Sequence, residues 1–302
     1  LQVLYLLDNS KFQSSLQCDI AKQNPDTEPC SFRTLLEVRR KTAHLHYFRI
    51  KTSQLRAAIL NIIFLCGAFS YESTLKYFYR MNRLHSFAFN AFSEQTYLLD
   101  HGNGEATVFD PGMNSTQERE AFEGTCERLG VVVVQCLLTH AHLDHVMGTS
   151  WIKQKYGCGP RLHPTDEQTW VQAPISAQLY GISLDTLPER GEDLGEHGST
   201  IECGSIELEI RCAPGHSIGH VVFVCHKSKF VVGGDVLFSG SIGRTDLPGG
   251  DPDVLAKNIE EQLYSLSDDY TIHPGHGGST TIGKEKSTNP FVNGAGTGML
   301  QR

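Results

Sequence analysis

Glycine and methionine are nearly missing from the first 80 residues, which hold one glycine, Gly67, of the chain's 29 and no methionine before Met81. That scarcity argues against a compact domain there, because tight turns draw heavily on glycine. The charge changes at the same place. Residues 1–80 carry 11 Lys+Arg against 6 Asp+Glu, and residues 81–302 carry 15 against 28. An ordinary apolar pattern begins directly after Met81, at Leu84, Phe87 and Phe89. Residues 81–302 therefore read as the working domain. Residues 1–80 have three readings: a glycine-poor extra domain, a targeting segment around the apolar run 57–69, or upstream translated sequence joined to a frame that opens at Met81. The run is shorter than the ~20 residues of a membrane-spanning helix and lies far from the N-terminus for a signal peptide.

Other absences narrow the class. No C-x-x-C pair occurs, the nine cysteines are odd in number, and Cys136 and Cys225 sit inside apolar runs. A disulfide framework is thereby disfavoured, and buried free thiols of a cytoplasmic protein are expected. None of the cysteines has zinc-ligand spacing. The working domain lacks the basic surplus that phosphate binding needs, so no nucleic-acid partner is expected, and no membrane association either. There is no internal repeat and no low-complexity tract.

What is present is a repeated local pattern. Short apolar strands fill residues 81–110, ending in Val108-Phe109-Asp110-Pro111-Gly112. Thr116–Leu129 has helical spacing. Residues 131–138 are nearly all apolar and β-branched, predicting a strand buried on both faces. Residues 145–156 predict a helix, and residues 157–200, punctuated by Gly and Pro, predict connecting loops. Residues 206–211, Val221–Cys225 and 230–232 predict strands, residues 253–266 a helix and residues 270–273 a last strand.

Four of these strands run into turns rich in metal-ligand side chains. The first ends in His140-Ala141-His142-Leu143-Asp144-His145, and the others in Pro214-Gly215-His216, Gly233-Gly234-Asp235 and Pro274-Gly275-His276-Gly277. Imidazole and carboxylate suit zinc, iron or manganese, and seven such groups suit two ions sharing a bridging carboxylate. A lone buried histidine is ordinarily a hydrogen-bonded core residue. H-x-H-x-D-H followed by three further ligand turns is much more specific. The remaining nine histidines keep the ordinary reading, with His220 and His273 closest to the cluster in sequence.

The H-x-H-x-D-H motif with its later His, Asp and His turns resembles the metallo-β-lactamase superfamily. Residues 234–238, residues 241–251 (S-I-G-R-T-D-L-P-G-G-D), Pro274-Gly275-His276-Gly277 and the closing T-T-I-G-K-E and Asn289-Pro290-Phe291 resemble its hydroxyacylglutathione hydrolase (glyoxalase II) group, in the short single-domain form. The likeness runs from about residue 84 to 291. It implies an α+β fold, a four-layer αββα sandwich. It also implies a division of ligands: His140, His142 and His216 on one metal, Asp144, His145 and His276 on the other, Asp235 bridging. Two divalent ions, zinc first and iron or manganese as alternatives, would carry a bridging hydroxide, with Asp144 and Asp235 as catalytic residues.

A small-molecule thioester such as a hydroxyacylglutathione is the expected substrate, because a thiolate leaves without needing a proton. Arg244 is the one cation of the signature stretch; it would either hold a substrate carboxylate or pair with Asp246. The C-terminal helical domain of longer glyoxalase II enzymes has no counterpart after Phe291, which leaves the glutathione carrier open. The nearest rival is a mononuclear iron persulfide dioxygenase of the same superfamily, which also has a G-R-T-D stretch.

Overall fold

The computed structural model describes residues 83–301, so the readings of residues 1–80 lie outside the described residues. Five strands, Leu84–Phe89 (β1), Glu94–Asp100 (β2), Glu105–Phe109 (β3), Val132–Leu137 (β4) and Pro160–Arg161 (β5), form one sheet in that order. The first three pair antiparallel, and β3, β4 and β5 run parallel. Six more form a second sheet: Thr200–Cys203 (β6), Ile206–Cys212 (β7), Val221–Cys225 (β8), Phe230–Gly234 (β9), Thr271–Pro274 (β12) and Thr280–Thr281 (β13). Their order is β13-β12-β9-β8-β7-β6, with β12 parallel to β9 and the other neighbours antiparallel. Leu237–Phe238 (β10) and Ser241–Ile242 (β11) make a small ribbon.

The helices are Thr116–Leu129 (α1), Leu143–Val146 (α2), Thr149–Tyr156 (α3), Glu167–Tyr180 (α4), Pro252–Asn258 (α5) and Ile282–Thr288 (α6). Period-two alternation in the strands sorts the layers. Tyr97, Leu99, Phe109, Phe223, Cys225 and Val232 meet between the sheets, with the rings of Phe109 and Phe223 5.2 Å apart. Leu98 and Val108 face outward onto Phe122 of α1 and Ile152 of α3. Val222, Val224 and Ile272 face the other way onto Leu255 of α5 and Ile282 of α6. The result is the expected helix–sheet–sheet–helix sandwich. The helix expected at Thr116–Leu129 begins at a reciprocal capping box of Ser115 and Glu118 and ends at Gly130 with φ 67°.

Strand direction positions the site. β3 and β4 run parallel in one sheet, and β7, β9 and β12 run alike in the other, so their C-terminal ends open onto one edge. Ligand-type residues follow each of those ends.

Four local expectations need correction. β4 is not buried on both faces: Val132 is 57% exposed and Val134 40%. A bulge shifts its pairing from Ala106↔Val133 to Thr107↔Gln135, breaking the alternation there. The helix expected over residues 145–156 is two helices. The Gly148 N–H bonds the Pro111 carbonyl at 2.7 Å, while the Asp144 carbonyl it would otherwise meet accepts from Asn90 Nδ2 at 2.9 Å. The third correction is α4, a 14-residue helix inside the stretch read as loops. Pro174 suggests a break there, yet Trp170, Ala173 and Ala177 bury one face of the helix against the α2 region, and packing outweighs the missing backbone bond. The helix expected over 253–266 also changes character, passing from α5 into a π turn at Ile259–Leu263.

Candidate metal centre

All seven residues singled out from the strand-end turns converge. His142 Nδ1 lies 2.8 Å from His216 Nε2, which lies 3.2 Å from His140 Nε2. On the other side His276 Nε2 is 3.1 Å and His145 Nε2 3.7 Å from Asp144 Oδ2. Asp235 faces both groups: its Oδ2 is 3.4 Å from His216 Nε2 and 3.5 Å from His276 Nε2, and its Oδ1 is 3.4 Å from His145 Nε2. Among the described residues the geometry thus contains two triads, His140/His142/His216 and Asp144/His145/His276, with one carboxylate between them, and a third grouping, Asp110/His140/His145, that joins a residue of each to Asp110.

The hydrogen bonds behind the rings decide which nitrogens point inward. His216 Nδ1 donates to the Arg244 carbonyl at 2.7 Å, and His276 Nδ1 to the Phe92 carbonyl at 3.2 Å. His145 Nδ1 donates to Asp110 Oδ2 at 3.2 Å. The Thr139 hydroxyl gives its proton to Asp110 Oδ2 at 2.7 Å and so accepts from His140 Nδ1 at 3.0 Å. Each of these four imidazoles therefore turns Nε2 to the centre, and in His140 and His216, whose protons burial removes, that nitrogen is bare.

Two bare nitrogens 3.2 Å apart repel unless a cation lies between them, and that spacing suits ligands ~2.0–2.1 Å from a common ion. His145 Nε2 and Asp235 Oδ1 are buried with no hydrogen-bond partner, as groups reserved for a ligand would be. Gly275 completes the cradle. A Cβ there would fall on Asp235 Oδ1 and lie 2.7 Å from His145 Cε1. Gly234, at φ 46°, turns the chain into Asp235, and a Cβ on it would overlap Thr139 Oγ1. The residues fit a two-ion centre.

Electrostatics divides the triads. Burial lowers the pKa of His140, His142 and His216, with His142 brought down to about 3, so these rings are neutral. Burial acts the same way on His145 and His276. There the charges of Asp235 and Asp144 outweigh it at His145, and hydrogen bonds to the same two groups outweigh it at His276, which reaches about 9. Burial likewise opposes ionisation of Asp144 and Asp235, but their histidine partners hold both below the usual carboxylate range.

The side chain of Arg244 makes the ion pair with Asp246, through two contacts of 2.7 Å, while its carbonyl orients His216. Five residues that matter here were not singled out from sequence. Asp110 follows β3 in an Asp-Pro-Gly turn like the ligand turns, which was a usable signal. Both its oxygens already accept bonds, from Thr139 N and Oγ1 and from His145, so it supports the cluster and does not join it. Asn90 braces the Asp144 carbonyl. Asp166 binds the loop backbones, accepting from Ala141 N at 2.7 Å. Thr139 links Asp110 to His140 and carried no sequence signal.

Glu94 is fully buried behind His145. The Thr96 hydroxyl accepts the Gly112 N–H and faces two acceptors, Glu94 Oε2 at 2.9 Å and the Asp110 carbonyl at 2.8 Å. Burial pushes the Glu94 pKa strongly upward. His220, left with the ordinary histidines, is buried against His140 and accepts the Asp235 N–H at 3.0 Å. His273 packs edge-on to Tyr97 and Phe230 and bonds Ser279, away from the centre.

The fold and this histidine–aspartate centre define a class: the chain belongs to the metallo-β-lactamase superfamily, whose family model matches residues 90–276. Among its relatives is the hydroxyacylglutathione hydrolase GloC of Haemophilus influenzae, 37% identical over 206 residues that cover 67% of this chain and 94% of GloC. A probable metallo-hydrolase of Bacillus subtilis, YqgX, is 33% identical over 63% of this chain and 88% of its own. A solved structure, TTHA1623 in a di-iron-bound form, shares 34% identity and superposes with a TM-score of 0.62 over 69% of this chain and all of that one. ETHE1 from Myxococcus xanthus, at 21% identity and TM-score 0.56, shares the fold. The chain is thus a metallo-hydrolase by family. Among the described residues no helix is long and apolar enough to cross a membrane, and the six cysteines are free.

Proposed function

We propose that this chain is a two-metal hydrolase of thioesters, of which a hydroxyacylglutathione is the first candidate, working in the reducing cytoplasm where its free thiols persist. One observation carries the reading: two complete triads share Asp235, and four of their imidazoles are locked with Nε2 inward. His140, His142 and His216 would hold one ion, Asp144, His145 and His276 the other, and Asp235 would bridge. Bound there, two divalent ions supply a hydroxide nucleophile at neutral pH and polarise the acyl oxygen. Asp144, with His276 at 3.1 Å and its carbonyl tied to Asn90, would orient the nucleophile. A thiolate leaves unprotonated, so the centre needs no separate acid. The likeness to GloC supports this substrate class. Zinc is the first choice of ion, and the di-iron relative keeps iron, like manganese, compatible with the same donors.

The fully assembled second triad favours this reading over a mononuclear iron dioxygenase. The test is metal content together with hydrolysis of S-lactoylglutathione. About two metals per chain, with turnover abolished in Asp235→Ala, is the expected result. One iron per chain, oxygen uptake with a persulfide and no thioester turnover would overturn it.

A further inference from the structure

Asp166 sits outside both triads and touches no imidazole, yet it is fully buried. It lies where a 3₁₀ turn, Pro164–Asp166, passes into α4. Its Oδ2 accepts the Ala141 N–H at 2.7 Å. Its Oδ1 accepts the Gly219 N–H at 3.1 Å, the Thr169 hydroxyl at 2.9 Å and the Ser217 hydroxyl. Ala141 is the chain neighbour of both His140 and His142, and Ser217 is the chain neighbour of His216. One carboxylate is therefore bonded within one residue of every imidazole of the first triad, and to nothing in the second. The approach is also sterically committed: a Cβ on Gly219 would overlap the Asp166 backbone nitrogen.

We infer that Asp166 is a positioning residue for the first metal site, clamping the His140–His142 turn to the His216 turn so that three nitrogens keep their spacing. The inference rests on the assignment of His140, His142 and His216 to one ion. These two turns come from different sheets, after β4 and after β7, and besides Asp166 they are tied by the stacked rings of His140 and His220 and, at the start of β8, by the Val221–Thr139 backbone bond. Without the clamp the turns can drift apart by the few tenths of an ångström that a metal site notices. Loss of such an outer support ordinarily costs a metal site about 10–100-fold in affinity. The second triad is braced from elsewhere, by Asp110, Asn90 and the Phe92 carbonyl, so it should be spared.

The test titrates the metal-free protein with zinc against a chromophoric chelator, for the wild type and for Asp166→Asn. Asparagine keeps the shape but turns an NH2 group towards donors. The same substitution is made in His276→Ala, which leaves the first triad alone, and in His142→Ala, which leaves the second. The expected result is a 10–100-fold weaker zinc in the His276→Ala background and no change in the His142→Ala background. Equal weakening in both backgrounds, or none in either, would overturn the positioning role. If Asp166→Asn does not fold by circular dichroism, Ser217→Ala removes a single bond of the clamp. A several-fold loss confined to the first site then supports the inference, and unchanged zinc affinity sinks it. A wild-type chain that takes up no zinc would instead remove the metal assignment itself.

Discussion

The two triads share a carboxylate and differ in almost everything else. His140 is fully buried and His216 2% exposed, with His142 part-exposed, whereas the side chains of His276 and Asp144 are 28% and 16% exposed about a fully buried His145. The first triad is all imidazole, neutral because burial removes its protons. The second is two imidazoles kept charged by Asp144 and Asp235. A neutral, enclosed triad is preorganised for a cation. A charged, more exposed one must release protons before it can bind one. The difference teaches that a two-metal centre need not be two copies of one site.

The sharpest way to break the comparison is to remove what the triads share. Asp235→Ala removes the proposed bridging group, and turnover of the proposed thioester is expected to fall about 10³-fold or more, with metal content dropping below two per chain. Retention of both metals and of activity would mean that the triads do not cooperate. Asp110→Asn comes next. Asp110 holds His145 directly and His140 through Thr139, so zinc affinity should fall about 10–100-fold at both sites. An effect confined to the second triad would show that Thr139 alone keeps His140 in place. Asn90→Ala is narrower still. It frees the Asp144 carbonyl that Asn90 engages in place of a helical bond, and a loss of about 1–2 kcal/mol in unfolding free energy is expected. The accompanying zinc loss should fall on the second site only, read by the same chelator titration.

The residues that converge on the centre and those that support them differed in how far sequence revealed them. Every residue expected at the centre does converge there, and the signal was that each stands on a Gly- or Pro-rich turn after an apolar strand. The layer order followed from the family resemblance, and strand alternation then fitted it residue by residue. What holds the ligands was not legible. Asp166 and Asn90 act through backbone atoms of residues far along the chain, and such partnerships exist only once the strands have been paired. The α4 helix was hidden by Pro174 and by flanking glycines, since local breakers look the same whether or not tertiary packing overrides them. Arg244 was singled out for its charge, yet its carbonyl is what reaches the centre. A side-chain alphabet says nothing about that.

The last contrast between the triads is read from pH in the metal-free protein. In the metal-free protein His276 has its pKa raised to about 9, through hydrogen bonds to Asp144 and Asp235 that outweigh burial. A raised histidine binds its proton more tightly folded than unfolded. The stability it contributes is complete below about 6.5 and is lost as pH rises through about 9. His142 is the opposite case. Burial depresses it to about 3, so the unfolded chain takes up a proton first, and stability falls as pH drops from about 6.5 towards 3. Thermal melts of the chelator-treated protein between pH 5 and 9.5 should therefore decline on both sides of neutrality. His276→Gln should make the alkaline limb shallower and spare the acid one, and His142→Gln should do the reverse, with His145 keeping part of the alkaline limb and His140 and His216 part of the acid one. If both substitutions flattened the same limb, the electrostatic division between the triads would be wrong. With zinc present the alkaline limb should vanish even in the unaltered protein, because deprotonating the second triad is then what binding requires.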